Sequence, residues 1–143
     1  MHYIFITRTF RGQIKGFRKV FQEKDLLEDI KDFVQNGLRK GETTLKAQQY
    51  YEITLETVKL RFYFRKAAFR YLVGVISDSD SQRYIPIIID RKAGPYGQNL
   101  TLKTDKKTRQ AIQKAIVAVM SDYLAYTEDQ EKNKESATVY KVV

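Results

Sequence analysis

Between Tyr51 and Phe64 apolar and polar residues alternate, and the alternation changes parity halfway. Tyr51, Ile53 and Leu55 place apolar side chains on odd numbers, whereas Val58, Leu60, Phe62 and Phe64 place them on even numbers. A two-residue period belongs to a strand with one buried face and is incompatible with a helix over the same stretch. A strand keeps its buried face unless a residue is inserted, so the parity change predicts a bulge or bend at Glu56-Thr57. Beyond it, Lys59, Arg61, Tyr63 and Arg65 fall on the face away from the core. After a short reversal at Lys66-Ala67-Ala68, the stretch Phe69 to Ser77 reads as the next strand. Phe69, Tyr71, Val73 and Val75 lie on one side of it, and Arg70, Leu72, Gly74 and Ile76 on the other. The polar run Ser77 to Ser81 is a turn by composition. Tyr84 to Asp90 is nearly all apolar, as in a strand covered on both faces. Pro86 lacks an amide donor and is expected at the start of that strand or against an unpaired edge.

The flanking segments supply helices. Tyr3 to Arg8 (YIFITR) is a first strand. Phe10, Ile14, Phe17 and Phe21 then recur at helical spacing, with Arg11, Lys15, Arg18 and Lys19 between them. Gly12 and Gly16 weaken this helix by about 1 kcal/mol each relative to alanine. A second helix fits residues 24–39, with Leu26, Leu27, Ile30, Phe33, Val34 and Leu38 on one face and Gly41 as its stop. Residues 42–49 read as a polar connection. Residues 93–97 are a loop, and 99–103 a short further strand. Ile112, Ala115, Ile116, Val119, Met120 and Tyr123 mark a helix over about 105–126. The resulting fold class is α+β: an N-terminal strand and helical hairpin packed on a mainly antiparallel sheet, with a C-terminal helix. Residues 1–126 form a single domain, and residues 127–143 a polar tail, loose from Thr127 to Ser136, with a short terminal strand or partner-dependent segment from Ala137.

Composition removes several kinds of chemistry. The chain has 143 residues and no cysteine, and its one histidine is His2. Disulfides, thiolate metal sites, cysteine nucleophiles and a histidine-centred catalytic site are therefore not expected, and neither is a bound metal or cofactor. The N-terminus enters a strand without a basic leader, and no apolar run approaches the ~20 residues of a spanning helix. The expectation is a cytoplasmic protein without a membrane partner. No phosphate loop, dinucleotide fingerprint, nucleophile elbow or zinc spacing is present.

Charge is concentrated. From Lys59 to Arg109 there are twelve Lys and Arg against four Asp, in a chain whose formal net charge is +9. A sheet this basic is expected to meet a polyanion. Lys106, Lys107 and Arg109 also crowd the start of the last helix, where cations oppose the macrodipole, which hints at a binding role.

The element order, with YIFITRTFRGQIKGFRKV, an acidic-to-basic second helix, VKLR, FRYLVGV, and a strand ending in IIIDRK before an aromatic-bearing loop, resembles the RelE/ParE toxin superfamily over roughly Tyr3 to Leu102. The resemblance implies a toxin of a type II toxin–antitoxin system. In the messenger-cleaving branch it implies a metal-independent endoribonuclease that attacks through the RNA's own 2′-hydroxyl on the ribosome. Lys59, Arg70, Arg91 and Tyr96 would then be catalytic. Arg61, Arg65, Lys92, Lys106, Lys107 and Arg109 would bind nucleic acid, and an acidic antitoxin would be the protein partner. These residue types suit the reaction. A lysine crowded by arginines has a lowered pKa and can serve as a base, and arginines bind phosphate through paired hydrogen bonds. The lack of any histidine besides His2 and the extension past Lys103 depart from the family pattern. Two other readings stay open: a ParE-like inhibitor of DNA gyrase, and a basic nucleic-acid-binding module without catalysis. Structural roles stay open too, with the Lys59 row as a solvated strand face and Arg70 as the partner of Asp90.

Overall fold

The computed structural model describes residues 1–100 and 105–143. The order is β1 (His2–Thr7), α1 (Arg8–Lys15), α2 (Glu23–Asn36), β2 (Thr43–Tyr50), β3 (Ile53–Phe64), β4 (Ala67–Ser77), β5 (Gln82–Arg91), a 3₁₀ turn (Gly97–Asn99), α3 (Lys106–Glu128) and β6 (Ala137–Val142). The six strands form one sheet in the order β2-β3-β4-β5-β1-β6. Neighbours are antiparallel except β1 and β5, which run parallel. The fold is α+β, as expected from the patterning. No helix among the described residues is long and apolar enough to cross a membrane.

The two faces of the sheet are covered by different helices. On one face Phe62, Phe69 and Phe21 pack edge to face, and Tyr71 reaches Asp29 of α2 through its hydroxyl. The other face carries Leu55, Thr57, Lys59 and Arg61 of β3, Arg70 and Leu72 of β4, and Arg83 of β5. α3 lies on this side, where Tyr123 accepts a hydrogen bond from Arg83 at 2.7 Å. Coverage on both sides explains the parity change in β3. Leu55 and Thr57 are buried toward α3, and Val58, Leu60 and Phe62 toward α2.

No bulge is needed at Glu56-Thr57: β3 pairs with β4 without a shift from Glu56 to Phe64. The bulge sits in the neighbouring strand. Leu45 faces Thr57 while Gln48 faces Leu55, which leaves one extra residue in β2. β2 itself, Thr43–Tyr50, corrects the reading of residues 42–49 as a connection. It is an edge strand whose side chains are exposed or half-buried, so it lacks the apolar alternation that marks inner strands. Tyr51 is not in the strand: it forms the turn between β2 and β3 with φ +52° and is 84% exposed. Pro86 lies inside β5 at a second register shift, opposite Val73, rather than at the strand's start.

The pairing of β1 with β5 ends at Ile4 and Tyr84. Beyond that point the edge of β5 is completed by a side chain. Gln13 of α1 donates to the Ile87 carbonyl at 3.0 Å and accepts from the Ile89 amide at 2.9 Å. Replacing Gln13 with alanine strands a carbonyl and an amide within a covered strand. The expected loss is about 2 kcal/mol in a denaturant titration, with the slope of the transition unchanged.

The helix ends follow the usual chemistry. Thr7 accepts from the Phe10 amide, and Asp122 of α3 accepts from the amide and hydroxyl of Thr9 at 2.8 and 2.7 Å. A carboxylate is thus placed at the start of α1, where it suits the macrodipole. α1 stops at Lys15, short of the expected length, although Phe17 and Phe21 still pack inward. α2 opens with a reciprocal Gln22–Asp25 cap and ends at Gly37 (φ +82°), four residues before the expected stop.

The small strand expected from Ala137 is β6, which makes the C-terminal segment part of the sheet. β6 pairs with β1 from Ala137 through Val142. Arg11 binds both oxygens of Glu23 at 2.6 and 3.1 Å and also donates to Thr138, while Tyr140 donates to Glu23 at 2.9 Å. This network ties α1, α2 and β6 together. The strand expected at residues 99–103 lies for the most part outside the described residues; Gly97–Asn99 form the 3₁₀ turn.

Candidate nucleic-acid interface

Antiparallel pairing brings three of the basic residues together. Arg61 and Arg70 are cross-strand partners, and Lys59 lies two residues along β3 on the same face. Lys59 is half-buried. Burial, then the charge of Arg70, then that of Arg61 push its ammonium group below the ordinary lysine pKa. Among the described residues no carboxylate forms an ion pair with it. Arg70 is only 4% exposed. It donates to the Phe69 carbonyl at 2.9 Å, and its guanidinium lies 5.7 Å from the centre of the Tyr63 ring. Tyr63, 57% exposed, offers an aromatic surface beside these cations.

Arg61 is held by the loop after α2. Its amide donates to Glu42 at 2.7 Å and its guanidinium to the Lys40 carbonyl at 3.3 Å. The guanidinium lies so close to Gly41 (φ +82°) that a β-carbon there would overlap it. Glu42 also accepts from the Arg39 amide, Nε and Nη2, and Arg39 in turn grips Asp29 with two nitrogens at 2.7 and 3.0 Å. Burial alone would raise the Glu42 carboxyl, but the bonds from Arg39 and Arg61 outweigh it and hold the group below its ordinary value. Tyr71, buried and beside Asp29, has its phenol pushed well up. Arg39 and Glu42 thus fix the loop on which Arg61 rests. In the sequence they look like a helix end and the start of a polar linker. The one available signal is the pair of opposite charges flanking Gly41.

The other expected residues do not join this cluster. Arg91 pairs with Phe69, which puts it on the α2 face; its guanidinium lies 5.5 Å from the Phe69 ring and 5.7 Å from the Phe17 ring. The expected meeting of Arg91 with Lys59 and Arg70 in one site is therefore corrected: the β4–β5 register sets them on opposite sides of the sheet. Arg70 and Asp90 are cross-strand neighbours. Asp90, however, accepts from the backbone amides of Arg91, Tyr96 and Gly97, which folds the loop after β5 back on the strand. Tyr96 is placed by that loop in a groove between α1 and α3, lined also by Phe17, Lys107 and Lys114, and away from Lys59. Arg65 occupies the β3–β4 turn at φ +56° and lies over Phe64, outside the row expected from its parity. Lys92 is exposed just past β5.

Lys106, Lys107 and Arg109 are exposed on the first turns of α3, which Asp105 caps by accepting from the Thr108 amide at 2.7 Å. Lys46, at the bulge of β2, lies with Lys106 and Arg109 around one groove on the α3 side. It escaped notice in the sequence because it sits alone in a polar run. The arrangement can hold a phosphate chain against fixed cations, with a lysine biased toward its neutral form at one end. Compared with protein-family models, curated proteins and solved structures, the chain matches none.

Proposed function

We propose that this protein is the toxin of a toxin–antitoxin pair and cleaves messenger RNA on the α3 face of its sheet. The observation that carries the reading is Lys59, a half-buried lysine with two arginines beside it and its pKa depressed. In the proposed step its neutral amine takes the proton of a 2′-hydroxyl. The 2′-oxygen then bonds to the adjacent phosphorus, and the bond to the 5′-oxygen breaks. The departing oxygen takes a proton from water, and a 2′,3′-cyclic phosphate remains. Arg70, being almost buried, acts as a fixed positive charge that adds to burial in lowering the Lys59 pKa and faces the phosphorane's charge. Tyr63 offers a ring on which a base can stack. The resemblance to RelE/ParE toxins, through its element order and the basic residues on adjacent strands, supplies the substrate class and the antitoxin.

A second reading is a basic module that binds RNA without cutting it. The placement of Arg91 on the opposite face favours it, because the site then has one cation fewer for the phosphorane. Incubation of the purified protein with ribosomes and messenger, in the presence of a chelator, separates the two. Fragments ending in 2′,3′-cyclic phosphate are expected, and Arg91→Ala should cut as well as the unaltered protein. Salt-sensitive binding with intact RNA would establish the second reading, and inhibition of DNA supercoiling without RNA binding would replace both.

A further inference from the structure

The β2 bulge gives the α3 side of the sheet a second cationic site. In a regular strand paired with β3, Lys46 would sit opposite Glu56. The extra residue between Leu45 and Gln48 breaks that register and turns Lys46 toward α3. There it lines a groove of roughly 640 Å³ with Lys106 and Arg109. The remaining polar lining is amide: Gln48, Gln110 and Gln113. Gln113 donates to Gln48 at 2.9 Å and fastens α3 across the bulge. Among the described residues no carboxylate lines the groove. All three cations are exposed, and none forms an ion pair among the described residues.

We infer that this groove binds the phosphate backbone of single-stranded RNA on its way to or from Lys59. The inference rests on the RNA-directed reading above and extends it to a site remote from the reacting phosphate. Three features favour this occupant. Thr43 is the cross-strand partner of Lys59, so Lys46 lies three residues along the adjacent strand, about 10 Å at strand rise. That is a span for a few nucleotides. The lining holds charge and hydrogen-bonding amides, and a backbone contact needs nothing more. Among the described residues it also lacks a large apolar side chain, the anchor an acidic protein segment would need, since Ala47 is the one apolar residue of that lining.

The experiment uses the full chain and a fluorescent single-stranded RNA of twelve nucleotides, 2′-O-methylated so that it cannot be cut. A two-nucleotide version, too short to reach from Lys59 to the groove, serves as the short probe. Affinity is measured by anisotropy over a range of salt. For Lys46→Gln/Lys106→Gln/Arg109→Gln, binding of the long RNA should weaken about tenfold or more, and its salt slope should fall by about 2, near 0.7 per lost phosphate contact. The short RNA should be affected little, and thermal melting should be unchanged. If the triple variant keeps the full slope while Lys59→Met lowers it, the groove does not bind RNA although the RNA reading stands. If the unaltered protein binds neither RNA in a salt-dependent way, the RNA reading itself fails and takes this inference with it. If the triple variant binds RNA normally but loses binding to an oligoglutamate peptide, the groove belongs to an acidic polypeptide, and the inference is overturned.

Discussion

Replacing Lys59 with methionine should lower RNA cleavage about 1,000-fold, the usual weight of a positioned general base, while weakening RNA binding less than about tenfold. Methionine keeps most of the side-chain stem in its half-buried site and removes only the amine. The pH profile gives the same expectation a second readout. A lysine acts as a base only when neutral, so cleavage should rise with pH and level off below the ordinary lysine value of 10.5. After burial, the charge of Arg70 contributes most to holding Lys59 down, followed by that of Arg61. Arg70→Met should therefore move the plateau to higher pH, and Arg61→Met should move it less. A Lys59→Met variant that cuts at the normal rate would show that another group takes the proton. A plateau unmoved by Arg70→Met would show that the two charges do not communicate.

The largest effect on stability is expected at Glu42. Its side chain is shielded from solvent and holds Arg39 at 2.7 Å, and it also accepts from the Arg61 amide. Glu42→Ala leaves Arg39 with Asp29 and Asp32 but strands the Arg61 amide and leaves the loop held to Arg61 of β3 only by the longer bonds through the Lys40 and Arg61 carbonyls. A loss of about 3 kcal/mol is expected, or about 10 °C in the melting temperature of a domain this size. The acid response follows from the direction of the carboxyl shifts. Glu42 and Glu23 both titrate below their ordinary value of 4.5 in the folded protein. Their contribution is whole above that value and is lost as pH falls through the lowered folded values. Glu42→Ala should thus be less stable at neutral pH and should lose less on acidification than the unaltered protein. Equal acid sensitivity in the two proteins would remove Glu42 from the account.

The inner strands were legible because burial leaves a pattern. Alternation in β4 gives the observed face for each residue from Phe69 to Ile76, and the covered nature of β5 shows in its nearly unbroken apolar run. β2 left no such trace, since an edge strand buries little. The bulge was expected at the right height of the sheet but in the wrong strand. Parity in β3 registers that something changes at Glu56-Thr57, yet a switch of covered face and an inserted residue look alike in one sequence. The site was half legible for a related reason. Parity within one strand puts Lys59 and Arg61 on one face, and hairpin pairing adds Arg70. Arg91 depends on the β4–β5 register, which the shift between Leu72 and Val73 alters by one residue. A slip of one residue moves a side chain to the opposite face, and no local feature of IIIDRK announces it.

The place of β1 has a consequence for how the chain reaches this fold. His2–Thr7 is made before the other strands of the sheet, yet its neighbours are Gln82–Tyr84 and Ala137–Val142. The hairpins from β2 to β5 close locally and can form while synthesis continues. β1 must wait for β5, and then for β6, before both its edges are paired. Contacts of such long sequence separation slow folding. The sheet is therefore completed only after β6 has been synthesised. Until β6 arrives, the nascent protein carries an open, apolar strand edge that a co-synthesised partner or a chaperone can occupy.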